Sequence, residues 1–420
     1  MVARAGAARS VGAVASLILA AAALGACSAS APPLTVTVTP HESLLDEPIH
    51  VRVSGAPSGA PTTVAVESTD RTGAVWRSSA TFVADSRGEV NADVDASTGG
   101  TYTGVAATGL VWSMRPASGR DSGYIWQTFG PSTFTATVRA GGSTASTTFE
   151  RALTTTRLSG RSPSLALDGF VGRFLSGPVG ATPRPAVLVI GGSEGGVDTL
   201  MAAMLAMRGY PALAVAYFGE PGLPQNLSAI PLEYFERALG WLAAQPGVDP
   251  ARIVVLGGSR GSEAAELLGV HDPDQVHGVI AASPSDVVGC SIPACDGPAW
   301  TLGGAAVPYT RTWGDPHASD NPQAVIPVAT IGGPVLFVCG EADDIWPSCE
   351  FSRAATAALD ADPAAPRHEL VAVPDAGHLI DSLYPGEPGV SSDWTPAEQA
   401  KDEPALPDVW RRVLAFLAAV

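Results

Sequence analysis

Arg252-Ile-Val-Val-Leu256-Gly-Gly-Ser259-Arg-Gly261-Ser-Glu-Ala-Ala-Glu-Leu-Leu268 runs from an apolar segment through a glycine-rich corner into a stretch with helical spacing. A short continuous apolar run closed by glycine is the pattern of a strand buried on both faces. The stretch therefore reads as strand, sharp turn, helix. The alternation repeats on either side of it. Upstream, Ala186-Val-Leu-Val-Ile190 opens into Gly191-Gly-Ser-Glu-Gly-Gly196, followed by a helix over 199–208, a strand over 212–217 and a helix over 232–244. Downstream, Val335-Leu-Phe-Val338 and Glu369-Leu-Val-Ala-Val373 are further strands. Strands alternating with helices imply a doubly wound, mostly parallel sheet over residues 166–420.

Gly257-Gly258-Ser259-Arg260-Gly261 has the spacing G-x-S-x-G. Between a strand and a helix this is a nucleophile elbow, where small neighbours permit a strained turn that lifts the serine hydroxyl above the sheet of an α/β-hydrolase. A hydroxyl attacks poorly until a base takes its proton, and the base needs an acid to hold its tautomer. In this fold the acid follows a later strand and the His comes last. The strand at 335–338 leads into Cys339-Gly-Glu-Ala-Asp343-Asp344, and that at 369–373 into Pro374-Asp375-Ala-Gly377-His378. Ser259, Asp343 and His378 thus fit in order, each beyond the carboxyl end of a strand, where open α/β sheets build their sites.

Asp344 competes with its neighbour, and the Gly340-x-x-Asp343 spacing favours Asp343. Asp375 reads as a turn former, while His271, His277, His317 and His368 lack the strand-then-Gly-His setting. Glu263 reads as a capping or solvated carboxylate, with a buried modulator as the alternative. An oxyanion needs two backbone N–H donors. Arg260, next after Ser259, supplies one, and the loop Gly192 to Gly195 the other, from Ser193 or Glu194. Trp300, Tyr309 and Trp313 lie in a long segment between strands, where they either line an acyl pocket or pack an ordinary loop.

Residues 34–150 follow a different rule. Leu34 to Thr39 and Ile49 to Val53 alternate with period two, and short runs follow at Thr63 to Ser68, Ala80 to Ala84, Glu89 to Val94 and Thr133 to Arg139. Such strands make a small all-β, immunoglobulin-like sandwich. His41 and His50 read as structural there, and Trp76 and Trp112 as core or interface aromatics. Residues 151–165 show no clear period and read as the connection between the two domains.

The chain has 420 residues, with 24 basic against 41 acidic side chains and a net charge of −17. The acidity is concentrated in residues 161–420, which hold 30 acidic and 13 basic side chains. No basic face is available for nucleic acid, and an acidic domain does not steer anionic ligands towards itself. A hydrophobic content of 46% excludes a disordered chain.

Arg4 and Arg9 precede the apolar run Val11 to Ala26, a secretory signal peptide over 1–26. Leu24-Gly-Ala-Cys27 resembles the bacterial lipobox. Cys27 is accordingly expected to carry a lipid that anchors the protein to the extracytoplasmic face of a bacterial membrane, with residues 27–33 as tether. Cleavage after Ala29-Ser-Ala31 is the alternative. The remaining Cys290, Cys295, Cys339 and Cys349 suit two local disulfides, Cys290 with Cys295 and Cys339 with Cys349, the other connectivities staying open. Their spacing is not that of a metal site, and the chemistry calls for no cofactor.

The segments Ala216-Tyr-Phe-Gly-Glu-Pro-Gly-Leu-Pro224, Pro231-Leu-Glu-Tyr-Phe-Glu-Arg-Ala238 and Val255-Leu-Gly-Gly-Ser259-Arg-Gly-Ser-Glu263 resemble the acyl-CoA thioesterase and bile acid-CoA:amino acid N-acyltransferase family. So do Asp46-Glu-Pro48, Trp76 to Asp85, Gly88 and Gly109 to Pro116 in the first domain. The resemblance implies a nucleophile, acid and base falling on Ser259, Asp343 and His378. It also implies attack on an acyl thioester and transfer of the acyl group to water or an amine. An export signal and an acidic catalytic domain set this chain apart from members that act on acyl-CoA inside cells. The expected function is a serine hydrolase of acyl thioesters or esters. An acyltransferase to an amino acid or amine is the first alternative, and an inactive, lipid-binding envelope protein the second. A peptidase is a weaker option, and acyl length and leaving group stay open.

Overall fold

The computed structural model describes residues 1, 32–118, 123–127, 130–154, 158–180, 182–389 and 396–420. Cys27, with the expected signal peptide and most of the tether, lies outside the described residues. Among the described residues no helix is long and apolar enough to cross a membrane, and no cluster of His, Cys, Asp or Glu is arranged to hold a metal ion.

The decisive stretch forms the strand Val248–Gly258 and the helix Arg260–His271. That strand lies inside an eight-stranded sheet ordered Ser159–Arg161, Val171–Ser176, Ala212–Ala216, Arg184–Ile190, Val248–Gly258, Gly278–Ala282, Val335–Gly340 and His368–Val373. All pairings from Ala212–Ala216 to His368–Val373 are parallel. The apolar runs of the inner strands are continuous because those strands are buried on both faces, whereas the edge strand His368–Val373 is only partly covered. Val187 and Val189 join one core, with the helices Thr199–Met207 and Leu406–Ala419, whereas Leu188 and Ile190 join another, with Glu233–Ala243 and Arg260–His271.

The first two strands of this sheet pair antiparallel and were not legible as strands. Ser159–Arg161 falls inside the stretch expected to be a connection. Its three residues are exposed, so it carries no apolar signal.

Two further sheets precede this one. Thr35–Thr39, His50–Ser54 and Val90–Asn91 form the smaller. The larger is ordered Glu42–Leu44, Ser143–Ala152, Ser132–Ala140, Pro61–Thr69, Val75–Val83 and Gly99–Gly100, with Arg115–Pro116 also on Val75–Val83. Ser143–Ala152 escaped the sequence reading because its first six residues are Ser, Thr and Ala with no large apolar side chain, yet it pairs residue by residue with Ser132–Ala140. Period-two alternation sends Val64, Val66, Phe134 and Val138 inward, and Trp76 and Trp112 are buried with them. These side chains belong to the same continuous core as Val187, Met204 and Trp410, and residues 33–420 form one compact unit.

Asp46 ties the sheets together. Its carboxylate, 1% exposed, accepts two hydrogen bonds from Arg208 at 2.6 and 2.7 Å and one from the Trp410 indole at 2.7 Å. Replacing it leaves the Trp410 indole N–H without its acceptor and Arg208 with only the more distant Glu47 at 3.6 Å. Asp46→Ala is expected to lower unfolding free energy by about 3 kcal/mol, read as a drop in the urea midpoint at unchanged slope. An unchanged midpoint contradicts the assignment.

Candidate active site

The elbow follows from close approach of backbones. A side chain at Gly257 would place its Cβ 2.2 Å from the Gly261 carbonyl oxygen, and one at Gly261 would fall 2.3 Å from that of Ile190. Only glycine lets the helix begin so near the neighbouring strand. Ser259, wedged between them, takes φ 50° and ψ −121°, a strained conformation for a residue with a Cβ. Its N–H donates to the Ala282 carbonyl at 2.8 Å, which holds the turn to the next strand.

His378 bridges the three predicted residues. Its Nε2 lies 2.9 Å from Ser259 Oγ and its Nδ1 2.8 Å from Asp343 Oδ2. A carboxylate can only accept, so Nδ1 carries the proton and Nε2 is left to receive that of the serine. Asp343 is fixed by Ser348 Oγ at 2.6 Å and by the N–H groups of Ile345 and Trp346 at 3.0 and 3.3 Å. The Cys339–Cys349 disulfide joins the strand before Asp343 to the helix that carries Ser348, and Cys290 is bridged to Cys295. Asp344 is exposed, and Asp375 sits in a turn with φ 60°.

The backbone around His378 is also secured. Ser283 Oγ donates to the His378 carbonyl at 2.7 Å, and Gly377 N–H donates to Asp402 at 2.5 Å. Burial by itself pushes the imidazolium pKa down. The Asp343 hydrogen bond and the charges of Asp381, Asp343 and Asp402 outweigh it, so the pKa lies above its ordinary value. Burial lifts Asp381 to about 7 and both Asp402 and Asp198 to about 6. None of these three carboxyls stood out in the sequence, where Asp381 is simply the third residue after His378.

A cavity of about 450 Å³ opens beside Ser259 and His378, walled by Gly192, Ser193, Glu194, Asp198, Asp381 and Tyr384 among others. The two candidates for the second oxyanion donor, Ser193 and Glu194, thus share a cavity with Ser259. Glu194 folds its carboxylate back to accept the Gly192 N–H at 2.9 Å. Among the described residues no Lys or Arg side chain lines the cavity.

Glu263 corrects the sequence reading: it is neither a cap nor solvated. Fully buried, it pairs with Arg260 at 2.9 Å and accepts from the Trp300 indole at 2.8 Å and from Gly289 N–H at 3.3 Å. Burial raises it to about 7, against the attraction of Arg260. Arg260 points away from the cavity, donating to the Gly289 and Cys290 carbonyls at 3.1 Å each. Of the three loop aromatics, Trp300 is core, Tyr309 is half-buried and Trp313 is exposed. His271 and His317 are exposed, while His277 and His368 are bonded locally, away from the nucleophile.

Residues 46–161 match the family described as the acyl-CoA thioester hydrolase/BAAT N-terminal region, and residues 230–295 and 300–418 match the BAAT/acyl-CoA thioester hydrolase C-terminal family. Acyl-coenzyme A thioesterase 6 of Mus musculus is 27% identical over 415 residues, covering 91% of this chain and 96% of its own. Acyl-coenzyme A amino acid N-acyltransferase 2 of Rattus norvegicus is 27% identical over 377 residues, covering 84% and 88%. A solved structure of a putative dienelactone hydrolase from Klebsiella pneumoniae is 18% identical and covers 63% of this chain and 99% of its own, with a TM-score of 0.44.

Asp381→Asn removes one of the charges that favour the imidazolium of His378. The His378 ring resonances, followed by NMR across pH, are expected to titrate lower in this variant than in the native protein. Coincident titration curves contradict the electrostatic reading.

Proposed function

We propose, for a chain that belongs to the acyl-CoA thioester hydrolase/BAAT family, that Ser259 is the nucleophile of an acyl hydrolase acting on thioesters or esters. The observation that carries this reading is the unbroken relay from Ser259 Oγ through both ring nitrogens of His378 to Asp343.

His378 Nε2 takes the Ser259 proton as Oγ bonds to the acyl carbon, and the carbonyl π electrons move onto oxygen. The N–H groups of Arg260 and of Ser193 or Glu194 receive that oxyanion. Collapse expels the thiolate or alkoxide, which leaves with the proton from His378, and the acyl-serine remains. Water then repeats the sequence, giving up its proton to His378, and the carboxylic acid departs as Ser259 regains its hydrogen. Asp343 holds the ring and stabilises each imidazolium. An amine in place of water gives transfer instead, a second reading favoured by the similarity to an amino acid N-acyltransferase.

The carboxylates facing the cavity oppose the phosphates of CoA, which supports a less anionic leaving group. In the same reading, residues 34–150 are an immunoglobulin-like sandwich, 151–165 the connection and 166–420 the catalytic domain. A lipid on Cys27 holds the protein at the outer face of a membrane.

Ser259→Ala is expected to lower p-nitrophenyl ester turnover by about 10⁴-fold and to abolish fluorophosphonate labelling. Retained turnover overturns the assignment. Protonated His378 cannot accept the serine proton, so kcat/KM should rise with pH, with a midpoint above that of an ordinary imidazole. A pH profile that falls through this range contradicts the general-base role.

A further inference from the structure

Trp313 is 45% exposed although two neighbouring side chains hold its ring. The Arg260 guanidinium lies 4.9 Å from its ring centroid. The ring also stacks on Trp346 with centroids 6.4 Å apart and planes 18° from parallel, and Trp346 stands edge-on to His378 at 5.6 Å. Arg260 is the residue after the nucleophile, and Trp346 touches the base. Trp313 therefore packs against a neighbour of each reacting group.

Its position is built in advance. Arg260 and Glu263 are 3% and 0% exposed, and Glu263 fixes the guanidinium that underlies the indole. A Cβ at Gly289 would lie 2.2 Å from Arg260 Nη1 and 3.0 Å from the Trp313 ring, so this contact requires a glycine there. Ile345, the residue before Trp346, is also exposed, at 59%. The cavity beside His378 has a mixed lining, with Glu194, Asp198 and Asp381 alongside Met201, Leu256 and Leu379, whereas Trp313 and Trp346 offer paired indoles.

We infer that Trp313 is a specificity-determining residue that receives the alkyl chain of the acyl group while its carbonyl sits at Ser259. Methylenes laid on the indole leave water, so preference should grow with chain length, and the buried Arg260–Glu263 pair keeps the ring from collapsing inward. The non-acyl portion then occupies the carboxylate-lined side. This inference rests on the acyl-hydrolase reading and deepens it.

The test compares kcat/KM for p-nitrophenyl decanoate and p-nitrophenyl acetate in the native full chain, Trp313→Ala and Trp313→Phe. The decanoate-to-acetate ratio is expected to fall about tenfold in Trp313→Ala and to return most of the way in Trp313→Phe. Fluorophosphonate labelling of Ser259 in each variant reports an intact nucleophile. A ratio equal to the native one, or parallel loss on both esters, overturns the role of Trp313 while leaving Ser259 as nucleophile. A native protein that hydrolyses neither ester and resists the probe overturns the underlying reading, and this inference with it.

Discussion

The approach of the Arg260–His271 helix to the carboxyl end of the Arg184–Ile190 strand governs everything around it. With the Ile190 and Gly191 carbonyl oxygens only 2.3 and 2.4 Å from where a Gly261 Cβ would sit, the chain has no room for a side chain there. Contact at that distance forces the corner to be tight, the tight corner forces Ser259 to positive φ, and positive φ turns its hydroxyl out of the sheet towards His378. The flanking strands are buried on both faces, so the corner cannot relax by shifting them. Strain at the nucleophile is stored by the packing of the whole sheet.

Around that fixed point the electrostatics are one-sided. His378 faces Asp343 directly, with Asp381 and Asp402 also acting on its charge, and Glu194 and Asp198 add to the field at Asp381. Such a setting favours the imidazolium, the species that forms whenever a proton leaves Ser259 or water. It equally disfavours negative charge arriving from outside. The net charge of −17 is thus more than a bulk property, because part of the acidity lies at the site itself. On the Arg260 side, the positive charge is spent internally on Glu263 and two carbonyls rather than offered to a ligand.

Legibility in the sequence followed the kind of signal each residue carries. Ser259, Asp343 and His378 could be located because each closes an apolar strand, and chain order assigns their roles. Asp343 could be told from Asp344 by its distance from Gly340, and the structure brings only Asp343 to His378. The paired cysteines are close in sequence and bridge locally. Glu263 was misread because an acidic residue in a first helical turn resembles a cap. Its burial depends on Arg260, Gly289 and Trp300, the last 37 residues away. Trp300 and Trp313 look alike in one glycine-rich loop, and only tertiary packing separates a core indole from an exposed one. The strands Ser159–Arg161 and Val171–Ser176 fail for other reasons: the first is short and exposed, and the period of the second is broken by the consecutive buried residues Phe174, Leu175 and Ser176.

Formation of an acyl-serine is the central claim, and intact-mass spectrometry addresses it without a mutation. The full chain, mixed with excess p-nitrophenyl butyrate and quenched in acid within milliseconds, should carry one butyryl mass increment. Digestion should place that increment on the peptide containing Ser259, with occupancy decaying as substrate is exhausted. An increment on any other peptide, or rapid turnover with no increment and no burst of nitrophenol, would contradict the account.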